Sequence, residues 1–364
     1  MRNHRIAAIP ADGIGPEVIG AGCEVLEALA KADGGFSLDI EWFNWGSDYY
    51  RRHGEMMPAD GVERVKGFDA IYFGSVGDTD IPDDITLWGL RLAICQGLDQ
   101  YANVRPTRLL PGISGPLRPA LGGAINWLIV RENSEGEYAG VGGRAHHGLP
   151  LEVGMDVAVF TRGGIERIAR FACEAAMGRS RRKLTVVTKS NAQRHGMVMW
   201  DQVCREVIRD YPKLDVDWML VDAMTTRMVL DPGSIDTVLA TNLHADILSD
   251  LASALGGSLG IGATGNINPE RDVPSMFEPI HGSAFDLVGQ GAANPIGAFW
   301  TASLMLEHLG EIKAAENLMR AIESVTGRDD AVLPRDLGGQ AGTASVTQAV
   351  IEQLRQIYLN TVDS

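Results

Sequence analysis

Short apolar or β-branched runs alternate along the chain with longer segments in which apolar residues return every third or fourth position. The short runs predict strands at 5–9, 38–43, 70–73, 125–130, 157–160, 184–188, 216–221 and 237–241, and the longer segments predict helices between them. The first helix opens near Pro16, whose fixed φ suits an initial turn, carries Val18, Val25, Leu26 and Leu29 on one face, and stops at Gly34. Further helices are expected at 164–177, 197–209, 295–309, 312–324 and 345–359. This alternation implies an α/β fold with a mostly parallel, mostly buried sheet.

One helical stretch holds a conflict. In NLHADILSDLASALGG (242–257), Ile247, Leu248, Leu251 and Leu255 recur at helical spacing and the closing glycines form a stop, so the helix should bury itself. Yet Asp246 and Asp250 sit one turn apart, and like charges at that spacing repel by roughly 0.2–0.5 kcal/mol. No lysine or arginine in the stretch offsets them. A divalent cation that prefers oxygen, Mg²⁺ or Mn²⁺, would cancel the repulsion; a solvated helix face accounts for the spacing equally well. His244 completes an HxD pattern but is a softer ligand and is as readily explained by packing.

At 364 residues the chain exceeds what one core usually organises. The Pro- and Gly-rich segment VRPTRLLPGISGPLRPALGG (104–123) is the best candidate for a crossing between domains, and a second crossing is expected after Gly256 and Gly257. The middle, 104–257, would then form a smaller domain, with 1–103 and 258–364 combining into a larger one. A net charge of −15 argues against sequence-independent nucleic-acid binding, which needs a positive field. Cys23, Cys95, Cys173 and Cys204 lack CxxC spacing, so they read as buried thiols in a reducing compartment. MRNHRIAAIPADG turns polar too soon for a signal peptide, and no run of about 18 apolar residues suggests a membrane span. A cytoplasmic location with no membrane partner is expected.

Two motif matches fail on context. GGSLG (256–260) resembles a nucleophile elbow around Ser258, but it follows a helix instead of opening one after a strand. GIGATG (260–265) matches GxGxxG, yet NINPERDVP follows, with two prolines and no helix to face a pyrophosphate. The earlier turn PADGIGPE is better placed, between strand RIAAI and a helix, where backbone N–H groups can approach a ligand. Lys189 and Asp222 end apolar strands, where α/β proteins gather ligand-binding groups. Arg131, with Asn133, Glu137 and Tyr138 following, could clamp a carboxylate and offer an acid.

Together these residues carry a resemblance. IPADGIGPE, LDQYANVRP, VRENSEGEYAG, TKSN, VDAMTTRMVLDP, NLHADILSDLASALGGSLG, EPIHGSAFDLVGQGAANP and DLGGQAGT occur in the order found in the β-decarboxylating dehydrogenases of 2-hydroxy acids, the family that includes isocitrate, isopropylmalate and tartrate or D-malate dehydrogenases. The match spans nearly the whole chain; LWG (87–89), DQYANVRP and NSEGEY resemble the members that use tartrate or D-malate. The resemblance implies a two-domain subunit with the isopropylmalate dehydrogenase-like fold, which is not a Rossmann fold, the larger domain on the cofactor side. It implies a homodimer with a shared active site, the smaller domain carrying the dimer interface. Asp246 and Asp250 would bind Mg²⁺ or Mn²⁺ with Asp222 of a second copy; Arg91, Arg105 and Arg131 would bind substrate; Tyr138, Lys189 and Asp222 would handle protons. Cofactor contacts would come from Ile9, Asp12, Gly13, Gly74, Glu278, His281, Gly282, Ser283, Ala284, Asp286 and Asn294, and K⁺ is a further candidate ligand. A carboxylate at Asp286 would accept from ribose hydroxyls and repel a 2′-phosphate, which favours NAD. The chain departs from the family at Cys95, ten positions before Arg105, where an arginine is usual; Arg91 could replace it only if the local backbone or the substrate pose differs. The expected reaction is oxidation of tartrate and/or D-malate with β-decarboxylation where the product allows, with isopropylmalate or isocitrate as alternative substrates and a non-catalytic regulatory subunit as the alternative class.

Overall fold

The computed structural model describes residues 2–118, 121, 125–328 and 330–362. Its strands are β1 (Arg2–Ala11), β2 (Phe36–Trp42), β3 (Ala70–Ser75), β4 (Ala102–Arg108), β5 (Asn126–Glu132), β6 (Gly136–Ala145), β7 (Val153–Val159), β8 (Lys183–Thr188), β9 (Asp215–Leu220), β10 (Thr237–Ala240), β11 (Ala263–Ile267) and β12 (Ser275–Pro279). Ten of them form one sheet in the order β2-β1-β3-β12-β11-β4-β5-β10-β8-β9, and β6 and β7 form a separate hairpin. The sheet is parallel except where β11 meets β12 and β4, and where β4 meets β5. Those reversals make the two ends of the sheet run in opposite senses.

Helices cover both faces of the sheet, and successive residues divide between them. Ile6 and Ala8 of β1 join one core, whereas Ala7 and Ile9 join another with Phe43, Ile71 and Phe73. A third core gathers Trp127, Ile129, Met224, Val238 and Leu248. Strands buried on both faces read as continuous apolar runs, which is why β1 and β3 were visible in the sequence. The helix Gly15–Asp33 ends on Gly34 at φ +71°, whose N–H returns to the Ala30 carbonyl; only glycine adopts that conformation without strain.

Three expectations change. The Pro- and Gly-rich segment 104–123 opens not as a loop but within a strand in the middle of the sheet, β4. Pro106 is tolerated there because β11 pairs only with residues 102–104, so the missing N–H falls beyond that ladder. Residues 119–120 and 122–123 of the segment lie outside the described residues. The strand expected at 157–160 belongs to the exposed β6–β7 hairpin, where Leu151 and Met155 are 78% and 60% exposed. In the helix Asn242–Leu255, Leu248 and Leu255 are buried as expected, but Ile247 is 52% exposed.

Candidate active site

A cleft with an empty volume of about 720 Å³, including the part open to solvent, is lined by Gly74, Arg91, Arg105, Arg131, Tyr138, Asp246, Asp250, Glu278, His281 and Gly282. These come from the ends of β3, β5 and β12, the middle of β4, β6, the helix Asn242–Leu255, the turn Leu87–Arg91 and the loop after β12.

The neutralising charges absent from residues 242–257 are supplied by β4 and β5. Arg131 is 2% exposed; its Nε and Nη2 donate to Asn242 Oδ1 at 2.9 and 2.7 Å, and its Nη1 donates to Asp246. Arg105 Nε donates to Asn103 Oδ1 at 3.0 Å and its Nη1 to Ser249 Oγ at 2.5 Å. Its outer nitrogens reach Asp246 at 3.6 Å and Asp250 at 3.9 Å. The two aspartates therefore differ. Burial works against charge on Asp246, but Arg131 and Arg105 outweigh it and hold the carboxyl below its usual range. Burial, reinforced by Asp246, pushes Asp250 up despite Arg105. Burial and the neighbouring Arg131 lower Arg105 to about 10, leaving it a cation at neutral pH. The Tyr138 hydroxyl donates to Asp246 Oδ2 at 3.4 Å, and burial followed by Asp246 raises its pKa, so it stays protonated.

Arg91 arrives by an unusual backbone. Residues Leu87–Arg91 form a π-turn, closed by the Leu92 N–H on the Leu87 carbonyl, ahead of the helix Leu92–Gly97. The guanidinium lines the cleft but is paired with Glu278: Nε lies 2.8 and 3.0 Å from its two oxygens and Nη2 lies 2.5 Å from Oε1. Both side chains are buried, and burying either charge alone would be costly. Burial opposes ionisation of Glu278, yet Arg91 holds it low. Cys95 is 2% exposed beside this pair, and burial pushes its thiol up to about 11.

The expected cofactor residues form a compact set of loops. Ile14 N–H donates to the Ser283 carbonyl at 2.8 Å, joining the turn after β1 to the loop after β12. Gly13 has φ +59°, and a Cβ there would fall 1.9 Å from Ser283 O; a Cβ on Gly74 would fall 2.1 Å from Pro10 O. Only backbone fits at these approaches. Asp12 is buried, its carboxylate occupied by the Ser47 and Gly77 N–H groups at 2.6 and 3.0 Å, so the role open to it is shaping the turn. Ile9 is fully buried in the core, and Asn294 donates to Asp336 at 2.9 Å while capping Ile296. Ala284 (φ +40°) begins the short turn bearing Asp286, which is exposed and, among the described residues, forms no side-chain ion pair. His281, on the cleft, has its pKa lowered by burial.

Lys189 and Asp222 lie elsewhere. Lys189 Nζ meets Asp222 Oδ1 at 2.5 Å, where paired strands β8 and β9 end, and neither lines the cleft. Among the described residues, no three His, Cys, Asp or Glu side chains are grouped to hold a metal ion. The donor set of one chain still suits a hard cation: two carboxylates one turn apart, one of them incompletely neutralised. Asn103, Ser249, Asn242 and Asn266, which hold the charged groups in place, were not found from sequence; nothing in their spacing distinguishes them from ordinary polar strand and helix residues. Glu278 was singled out for the cofactor, and its partnership with Arg91 was not foreseen.

A profile of the isocitrate/isopropylmalate dehydrogenase family matches residues 5–354. The chain is 65% identical over 354 residues to a probable tartrate dehydrogenase/decarboxylase of Agrobacterium vitis, covering 97% of this chain and 98% of the relative. It is 44% identical to the decarboxylating D-malate dehydrogenase of Escherichia coli, over 96% and 98% of the two chains. The isocitrate dehydrogenase structure from Methylococcus capsulatus superposes with a TM-score of 0.86 at 33% identity, covering 97% of this chain and all of that one. The chain belongs to the isocitrate/isopropylmalate dehydrogenase family of oxidoreductases. Among the described residues, no helix is long and apolar enough to cross a membrane.

Proposed function

We propose that this protein is an NAD- and divalent-metal-dependent dehydrogenase/decarboxylase of small 2-hydroxy diacids, tartrate and/or D-malate. The observation that carries the reading is one cleft with Arg105 and Arg131 anchored by Asn103, Ser249 and Asn242, beside Tyr138 and the Asp246–Asp250 pair. The names of the 65% and 44% identical relatives support the substrate class. In this reading residues 1–103 and 258–364 form the larger, cofactor-side domain, and 104–257 form the smaller one. The protein works as a homodimer: the exposed Leu151, Met155 and Ile247 give it an apolar face, and the Lys189–Asp222 pair of one copy faces the Asp246 cleft of the other.

Asp246 and Asp250, with Asp222 of the second copy, would hold Mg²⁺ or Mn²⁺, and residues 9–13 and 281–286 with Gly74, Glu278 and Asn294 would hold NAD. When bound, the metal would supply Lewis acidity toward a hydroxy acid and NAD a hydride acceptor. Arg105 and Arg131 grip carboxylate, with Arg91 offering its outer nitrogen. The proton of the C2 hydroxyl would pass to Lys189 Nζ in its neutral form, directly or through Asp222 and water. Tyr138, kept protonated, donates from its hydroxyl to C3 after CO₂ leaves.

Steady-state kinetics with NAD and Mn²⁺ on L-(+)-tartrate, meso-tartrate, D-malate, isopropylmalate and isocitrate test the reading. Tartrate or D-malate should give the highest kcat/KM. A tenfold or greater preference for isopropylmalate or isocitrate would overturn the substrate assignment, and no turnover of any of them would favour a regulatory subunit.

A further inference from the structure

Behind the cleft runs a buried polar chain that the proposed mechanism does not use. Asn266, on β11 and fully buried, accepts through Oδ1 from Asn103 Nδ2 at 2.7 Å and Asn133 Nδ2 at 3.0 Å, with Arg91 Nη2 at 3.4 Å. Its Nδ2 donates to Glu278 Oε1 at 2.9 Å. Asn103 in turn accepts from Arg105 Nε at 3.0 Å. One carboxamide thus touches both arginine systems: Arg105 through Asn103, and Arg91 both directly and through Glu278.

Both arginines line the cleft while held from behind. Arg91 uses Nε and Nη2 on Glu278 and Asn266, while Nη1 forms no hydrogen bond among the described residues. Arg105 uses Nε on Asn103 and Nη1 on Ser249 Oγ, and its Nη2 has Asp246 at 3.6 Å. A free arginine has several rotatable bonds and accommodates carboxylates at many distances; one tied at Nε presents its fork at a single place. Two forks tied to one buried amide have a fixed separation, and a short diacid bound end to end would sense it.

We propose that Asn266 is a positioning residue that sets the separation of the Arg91 and Arg105 guanidiniums and thereby the length of the diacid the site accepts. The proposal rests on reading those two arginines as carboxylate-binding groups. Asn266→Asp keeps side-chain shape but replaces the donor to Glu278 with a second carboxylate, which repels Glu278 and draws Arg91 away. Asn103→Ala cuts the chain at the Arg105 end and leaves Glu278 untouched.

The test titrates the full-length protein by calorimetry with D-malate (four carbons) or D-2-hydroxyglutarate (five carbons), in Mn²⁺ and without NAD so that no turnover occurs, and separately with NAD. The wild type should bind D-malate at least tenfold more tightly than the longer acid. Each variant should shrink that ratio to threefold or less, chiefly by weakening D-malate, while NAD affinity stays within twofold in Asn103→Ala, which leaves Glu278 in place. A ratio retained in the variants, or equal weakening of both acids and NAD, would overturn the proposal. Either variant carries the test if the other fails to fold. A retained ratio in a protein that still turns over D-malate removes the positioning role alone; failure of the wild type to oxidise any diacid removes the functional reading beneath it.

Discussion

Two charged regions of this chain contain the same kinds of group and have opposite surroundings. At the cleft, Asp246 meets Arg131 and Arg105, whose side chains are 2% and 7% exposed, and every guanidinium is also anchored by an amide or hydroxyl. In the second region, Lys189 holds Asp222, whose side chain is 65% exposed, in the first turn of the helix Val221–Leu230, whose Leu230 is also largely exposed. Buried charges depend on their partners and so fix geometry; an exposed pair fixes little. The difference teaches that the cleft is finished within the chain, while the Lys189–Asp222 pair, which the proposed mechanism uses for proton transfer, lacks a wall to face.

The largest expected effect breaks the finished region. Asp246→Asn removes the carboxylate shared by Arg131, Arg105 and Tyr138, and with it a ligand of the proposed metal, and should lower kcat/KM by about 10²–10³-fold or more, with NAD affinity within threefold because its hydrogen-bond partners are not among the proposed NAD residues. Chelation with EDTA should abolish turnover reversibly. Full activity after metal removal would dismantle the mechanism.

The next experiment asks whether the two regions meet across copies. Asp246→Asn and Lys189→Ala should each be inactive alone. Mixed and allowed to exchange subunits, they should regain about a quarter of wild-type activity, since half of the dimers would be mixed and each would contain one intact site. No recovery in a mixture shown to contain mixed dimers would mean that each chain uses its own Lys189, and the comparison would fail.

How much of this was legible follows from the same contrast. The helix at 15–33 carried its boundaries as Pro16 and Gly34, and Asp246 and Asp250 carried their conflict in plain spacing. The arginines that resolve the conflict lie on β4 and β5, more than a hundred residues earlier in the chain, and only the sheet order brings them there. β4 itself was hidden because Pro106 and the glycines after it read as a loop. β6 was hidden because GEYAGVGGRA has too few β-branched residues to signal a strand. The π-turn that delivers Arg91 has no sequence signature, since one extra residue in a turn changes no local preference. The family resemblance supplied roles for Lys189 and Asp222 that neither spacing nor the single-chain geometry could give.

Stability offers a smaller reading of the same difference. Asp250 has a carboxyl pKa raised by burial and by Asp246. A group whose folded pKa lies above its unfolded value stabilises the fold below the unfolded pKa and loses that contribution as pH rises through the folded one. At pH 7 its charge therefore strains the metal-free protein. The Asp250 side chain is 59% exposed, so solvent screens most of this repulsion; Asp250→Asn should raise the metal-free Tm by about 1 °C, and Mn²⁺, expected to raise the wild-type Tm, should no longer do so in the variant. A lower Tm for metal-free Asp250→Asn would show that Arg105 already neutralises this carboxylate.

The smallest effect is expected at the exposed pair. Asp222 is held low first by its hydrogen bond to Lys189, so its contribution is present above the unfolded carboxyl pKa and disappears as pH falls through the lower, folded one. Solvent surrounds the pair and screens it, so the contribution to folding is slight. Asp222→Asn should therefore leave Tm at pH 7 within about 1 °C of the wild type, while turnover collapses as it does in Asp246→Asn. A drop of several degrees would make the Lys189–Asp222 contact a clamp between β8 and the helix that follows β9. The contrast between a finished region and a waiting one would then have to be replaced by two regions that both serve the fold.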